Sequence, residues 1–415
     1  MLNYLVNSAK QLITMMIIVG IVYAFLRSKY NTFGLITARI GIGAGLVLAV
    51  IMACMKNFTN KVDTGMWNLR IYTVSAAALV LLLIFTAIGK KAAKLSRIIV
   101  CAAGLAIIAM IMLYALPDFF TYPHTVLTTE KTALSSAFLY KMIGAVLGLI
   151  LTFLVGLAVC KGAGYLRTGT VFLLMCLIVI VNTMKQVAAS FSIMLAKMII
   201  ASNHTLFVIA KYASNYSDWF IYATLIIAMA IPIILWVRSF HVNEPYSNNA
   251  EHRKILAKWR NIRRWSNTAL ITIVLTVLTM TVVNAIANRE VELSPIEDAE
   301  VKDGAVYVPF EKVSDGHLHR FGYTTDDGVT IRFIVIQKPN SSAYGVGLDA
   351  CDICGETGYY EKNGQVVCNL CDVVMNINTI GFKGGCNPIV IPYEIHDGNI
   401  VVPVDGLVEY ESEFK

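Results

Sequence analysis

The chain begins as a series of apolar runs separated by short polar segments. A membrane-crossing helix needs roughly 20 predominantly apolar residues. Eight runs meet or approach that length: 11–26, 34–55, 71–89, 97–116, 137–160, 169–184, 217–237 and 268–288. Lys10 precedes the first run and Arg27 and Lys29 follow it, with no small-residue cleavage site, so it is expected to be a retained span rather than a signal peptide. From about residue 289 the apolar runs shorten and turn residues recur. Strands are expected at 306–310, 317–324 and 329–337, with Asp326-Asp327-Gly328 as a hairpin turn and further turns at Asn363-Gly364 and Asp397-Gly398. The pattern therefore predicts an α-helical polytopic membrane bundle of about eight spans over 1–288. A small, mainly β, cysteine-rich domain follows over 289–415.

Charge sharpens this division. The chain is 57% hydrophobic and 15% charged. Residues 1–288 hold 25 basic and 6 acidic side chains, whereas 289–415 hold 9 basic and 21 acidic. The excess positive charge lies in short loops between apolar runs and the C-terminal part is acidic, which argues against nucleic acid as a partner. The basic segments around 27–29, 89–97, 161–167 and 238–265 fall on one side of eight alternating spans. By the positive-inside rule that side is cytoplasmic. Both termini, the C-terminal domain, the 117–136 loop and the 185–216 segment are then expected outside a multi-pass inner (cytoplasmic) membrane protein. The 56–70 loop, with Lys56, Lys61 and Arg70, runs against the rule. The apolar 185–216 segment is expected to form one or two amphipathic helices at the outer interface, although re-entry or further spans remain open.

Ionisable residues inside spans usually mark a pathway, and here they are sparse. Asp63, Asp118, Glu130, Asp218, Glu244 and Glu251 are all expected in loops or at span ends, and no span carries a central His. The bundle therefore reads first as an anchor or docking surface, not as a self-sufficient transporter or a b-type cytochrome. Tyr122, His124, Glu130, Met184, Met194, Met198 and His204 near the outer edge give a second reading, a soft-ligand metal path.

The C-terminal chemistry lies in its cysteines. Cys351-x2-Cys354 is followed after thirteen residues by Cys368-x2-Cys371, and after fourteen more by Cys386. Two residues between cysteines let both thiolates of a tight turn face one ion, and the stretch between the pairs can form a hairpin that joins them. Four thiolates can close a tetrahedral zinc site or hold an Fe–S cluster. Disulfides are the other reading of cysteines in an extracytoplasmic domain. Cys386 is a replacement ligand, a second-site ligand or a buried thiol. His317 and His319, two apart on an expected strand, share one face and could meet one ion, or they line a solvated face.

The stretches HRFGYTTDDGVTIRFIVI, YGVGLDACDICGETGYY and VVCNLCDVVMNINTIGFKGGCNP, within residues 316–392, resemble the C-terminal domain of the FtrD-like membrane iron–sulfur proteins. The bundle with its ALPDFFTYP segment also resembles the family's membrane part. The resemblance implies an Fe–S or related centre facing outside. It also implies a place beside an iron permease and a periplasmic iron- or copper-binding protein. Cys351, Cys354, Cys368, Cys371 and Cys386 fall on the family's cysteine motif and His319 on its HRF motif, with His317 adjacent. The expected function is a membrane-anchored electron-transfer component of iron uptake, handling electrons for ferrous/ferric interconversion. The alternative is a zinc-ribbon-like domain on a non-redox scaffold that assembles a transporter. A third reading has the bundle itself transporting metal ions.

Overall fold

A computed structural model describes the chain except for residues 60–61, 89–92, 131–134, 201–208, 210–211, 213–215, 241–243, 288–292, 340, 353, 363, 371–372, 383–386 and 415. It divides into two compact units, Met1–Asn288 and Arg289–Lys415.

The first unit is helical. Its long helices are α1 (Leu2–Phe58), α2 (Thr64–Ile88), α3 (Ala93–Glu130), α4 (Ser136–Ala163), α5 (Thr168–Ala196), α6 (Ser217–Phe240) and α7 (Asn249–Leu278). The last continues through a π-turn to Ala287. All seven are long and apolar enough to cross a membrane, so the protein is a multi-pass membrane protein, with seven such helices rather than eight among the described residues.

The difference in count lies in α1, which contains both the 11–26 and the 34–55 runs. Its 57 residues would extend about 85 Å if straight, against a hydrocarbon core of about 30 Å. It is not straight. Asn31 has φ 48° and ψ −127°, outside helical space. A Cβ on Gly34 would lie 2.1 Å from the Leu26 carbonyl oxygen, whereas residues eight apart in a straight helix are about 12 Å apart. The chain doubles back at Asn31, and the two arms run in opposite senses along α3. Gln11 donates to the Ala115 carbonyl at 2.8 Å, while Gly41 and Gly45 pack on Leu105 and on Ala109 and Met112, and Lys56 bonds Asp118 at 2.6 Å.

Small residues allow this close packing. Gly148 and Gly156 of α4 meet the first arm at Ser8 and Met16 so closely that a Cβ would fall within 3 Å of its atoms. In lipid, helix association relies on such van der Waals fit because burial from water supplies no drive.

Two expected loops, and part of the expected interfacial segment, belong to the long helices instead. The 117–136 segment stays in α3 as far as Glu130, passing through Pro117 and Pro123. Residues 185–196 extend α5 rather than forming a separate interfacial helix, and much of the remainder to 216 lies outside the described residues. Residues 249–265 of the basic 238–265 segment open α7, capped by Asn248, whose side chain accepts from the Glu251 N–H. The basic segments gather at one end of the bundle. Arg97 stacks on Phe33, Ser28 bonds Thr168, and Lys161 lies over Trp265. The other end carries the ion pairs Lys10–Asp218, Lys56–Asp118 and Lys197–Asp63. On the metal-path residues, Met184 and Met198 lie on the surface and His204 is outside the described residues.

The second unit is mainly β. Its strands are β1 (Glu300–Lys302), β2 (Ala305–Pro309), β3 (His319–Thr324), β4 (Thr330–Gln337), β5 (Tyr344–Leu348), β6 (Tyr359–Lys362), β7 (Gln365–Cys368), β8 (Glu394–His396) and β9 (Asn399–Pro403). They form three antiparallel sheets, ordered β1-β2-β9-β8, β3-β4-β5 and β6-β7. The Asp326-Asp327-Gly328 turn joins β3 to β4, with Gly328 at φ +79°.

Strand β4 explains the apolar run Phe333–Ile334–Val335–Ile336. Side chains alternate across a strand. Ile331, Phe333 and Val335 join a core with Phe321, Val346, Val402 and Leu407, while Ile334 and Ile336 join a second core with Cys351, Tyr359 and Cys368. The sheet is covered on both faces, and the cysteines belong to one of them.

Candidate metal centre

The two cysteine-bearing segments reach one another from different elements. Cys351 follows β5 in a tight turn, where Cys351 and Gly355 exchange backbone hydrogen bonds of 3.2 and 2.9 Å. Gly355 closes that turn at φ +66°, a conformation that glycine adopts without strain. The turn aims the Cys354 N–H at the Cys351 sulfur, 3.2 Å away. Cys368 ends β7 and lies opposite Tyr359 in the β6–β7 hairpin. The ligand sulfurs of Cys351, Cys354 and Cys368 all lie within 4.8 Å of one another. Cys351 and Cys368 are buried and Cys354 is half-buried, and none of the three is in a disulfide. Cys371 and Cys386 lie outside the described residues.

This donor set fits a metal centre. Three converging thiols in an apolar core are what a thiolate-ligated ion or cluster requires. The Tyr359 hydroxyl also hydrogen-bonds Cys351, and burial, with the neighbouring sulfurs, holds this phenol well above its usual range.

The site stands on a buried ion pair. Arg320 of β3 faces the same way as its register partner Ile334, toward the cysteine core. Its Nε donates to Asp349 Oδ2 at 2.7 Å, with side chains 1% and 0% exposed. The guanidinium also donates to the Tyr359 carbonyl and to Ser294. Asp349 accepts the Tyr359 N–H at 2.8 Å and a bond from Arg332 at 3.3 Å. Asp349 lies two residues before Cys351, and Tyr359 opens the hairpin that ends at Cys368. The pair therefore fixes the two cysteine segments together.

Gly358 makes this closeness possible. It has φ +78°, and a Cβ there would lie 2.9 Å from Asp349 Oδ2 and 2.8 Å from Leu293 Cδ1. Gly358→Ala is expected to cost about 1–3 kcal/mol from backbone strain, before the clash is counted. Denaturation of the full chain, followed by hydrogen exchange in β6 and β7, measures this.

The histidines are elsewhere. His319 alternates with Arg320 and so faces away from the cysteine core. Its Nδ1 meets Glu297 and its Nε2 meets Asp315, each at 2.9 Å. His317 precedes β3 rather than lying on it, is exposed, and pairs with Glu361 at 3.0 Å. Among the described residues the structure does not bring either imidazole into the cysteine group. The Glu361 hydrogen bond and charge raise the His317 pKa above 6.5. A raised folded-state pKa gives a contribution present at low pH and lost as pH rises through that pKa. Histidine exchange followed by mass spectrometry is expected to show the His317 midpoint above 6.5 in the parent chain and lower in Glu361→Gln.

The fold and site define a three-cysteine group that could hold a metal ion, in a β domain of a multi-pass membrane protein. Residues 313–414 match the family model for FtrD-like proteins, described as "Membrane iron-sulfur containing protein FtrD-like", so the C-terminal region is similar to that family. No curated protein and no solved structure matches the chain.

Proposed function

We propose that the protein is a membrane-anchored electron-transfer component of iron uptake that exchanges single electrons with iron at its C-terminal domain. The observation that carries this reading is the buried convergence of Cys351, Cys354 and Cys368 within the FtrD-like region. These residues, with Cys371 and Cys386 as further candidates, would hold an Fe–S cluster, which supplies one-electron redox capacity. The chain's own residues do the rest. The Arg320–Asp349 pair keeps the ligand segments in register, the apolar core excludes water, and the Tyr359 hydroxyl tempers charge on the Cys351 sulfur.

The loop charges support an extracytoplasmic position for this domain. An iron permease and an outer iron- or copper-binding protein are the partners that suit it. A tethered domain raises the effective concentration of electron donor or acceptor beside the iron. A zinc-ribbon role on a non-redox scaffold is the second reading, favoured by how closely the sulfurs converge, since one tetrahedral ion would also suit them.

Anaerobic mixing separates the two. The reduced protein is mixed with ferric citrate and the oxidised protein with ferrous ion, while visible absorbance is followed. One of the two mixtures is expected to change the centre's redox state, with one iron converted per electron, and Cys351→Ser abolishes the change. No electron exchange with either form of iron overturns the proposal.

A further inference from the structure

A polar cavity of about 310 Å³ lies inside the membrane bundle, lined by side chains from α1, α3 and α5. Its polar lining includes Lys10, Gln11, Thr14, Tyr122, Asn182 and Lys185. The cavity lies toward the end of the bundle that carries the Lys10–Asp218 and Lys56–Asp118 ion pairs, and buried polar groups there are costly unless something satisfies them.

The charges do not cancel. Lys10 is bonded to Asp218 at 2.7 Å, and Asp118, which also lines the cavity, to Lys56 at 2.6 Å. Lys185, half-buried on α5, makes no side-chain hydrogen bond to a described residue, and Asp218, which acts on it electrostatically, is already held by Lys10. A neutral group in the lining is also unsatisfied. The Thr14 hydroxyl is buried with no hydrogen-bond partner. Asn182, also in the lining, is buried. Tyr122, by contrast, is fixed by donating to Gln11 Oε1 at 2.8 Å. An ammonium whose nearest carboxylate is bonded elsewhere, beside a buried amide and an unpartnered hydroxyl, is a donor set that suits an anionic acceptor.

We propose that this cavity binds an oxyanion, a carboxylate or a phosphate group, with Lys185 as the charge partner and Asn182 and Thr14 as hydrogen-bond donors. The volume lies at the low end for small-molecule sites and suits a small acid or a lipid headgroup. The cavity and the cysteine group belong to different units of the chain.

The test uses the full chain in phosphatidylcholine nanodiscs, with unfolding followed by tryptophan fluorescence at fixed ionic strength. Sodium citrate and sodium phosphate are titrated against chloride, and a second set of discs contains phosphatidylglycerol. The bound state is expected to melt roughly 3 °C or more higher at saturation. A rise with citrate or phosphate identifies a free anion, and a rise only with phosphatidylglycerol identifies a headgroup. Lys185→Met should abolish the rise and Lys185→Arg should retain it. Asn182→Leu keeps the lysine and should weaken binding about tenfold, so the test survives if Lys185→Met fails to fold. Cys351→Ser should bind as the parent does. No rise with any oxyanion source, or equal binding by Asn182→Leu and the parent, overturns the proposal.

Discussion

Asp349→Ala is expected to destabilise the C-terminal domain by about 3–5 kcal/mol, the usual loss when one partner of a buried ion pair is removed. Arg320 would remain buried, 1% exposed, with its charge uncompensated. The Tyr359 N–H would lose its acceptor at the same time. Because the pair joins the Cys351 turn to the Cys368 hairpin, metal retention should fall with stability. Hydrogen exchange on the full chain should show β3, β6 and β7 opening together. Glu409→Ala, at an exposed position, should change stability by less than about 0.5 kcal/mol. The double replacement Arg320→Met with Asp349→Leu should recover part of the loss, since it removes both charges instead of stranding one. A loss no larger than that of Glu409→Ala would show that the pair does not support the site.

Cys368→Ser is expected to lower metal affinity by at least about tenfold in competition with a chelator. Loss of supporting residues alone costs about that much at other metal sites, and this sulfur is one of three within 4.8 Å. Serine is similar in size, and the β6–β7 hairpin keeps its backbone bonds, so the domain should still fold. Cys54→Ser, at an exposed cysteine of the bundle, should leave metal content unchanged. Equal affinity in Cys368→Ser and the parent would remove the hairpin from the ligand set.

The features legible in the sequence were those with short-range signals. Alternating apolar residues broken by Asp326-Asp327-Gly328 correspond to β3 and β4 as observed. The first cysteine pair and Cys368 are brought together, because the residues between them form the β6–β7 hairpin. Features that depend on distant partners were not legible. Nothing near Arg320 in the sequence points to its partner, which is 29 residues away, and both are buried. The HRF motif drew notice to His319, but strand alternation sends His319 to one face and Arg320 to the site. In the bundle, Pro117 and Asp118 read as loop residues and Lys185 as part of an interfacial helical segment. The helices continue through them because neighbouring helices supply a polar cavity there. The turn at Asn31 had only a local polar cluster as its signal, and the closeness of Gly34 to Leu26 emerges only in three dimensions.

The most direct test of the electron-transfer account is metal and acid-labile sulfide analysis of the anaerobically purified full chain, with EPR spectra before and after dithionite. The account predicts iron and sulfide together and a signal that changes on reduction. Zinc without sulfide, and no signal in either state, would contradict it and leave a zinc-stabilised domain on a membrane bundle.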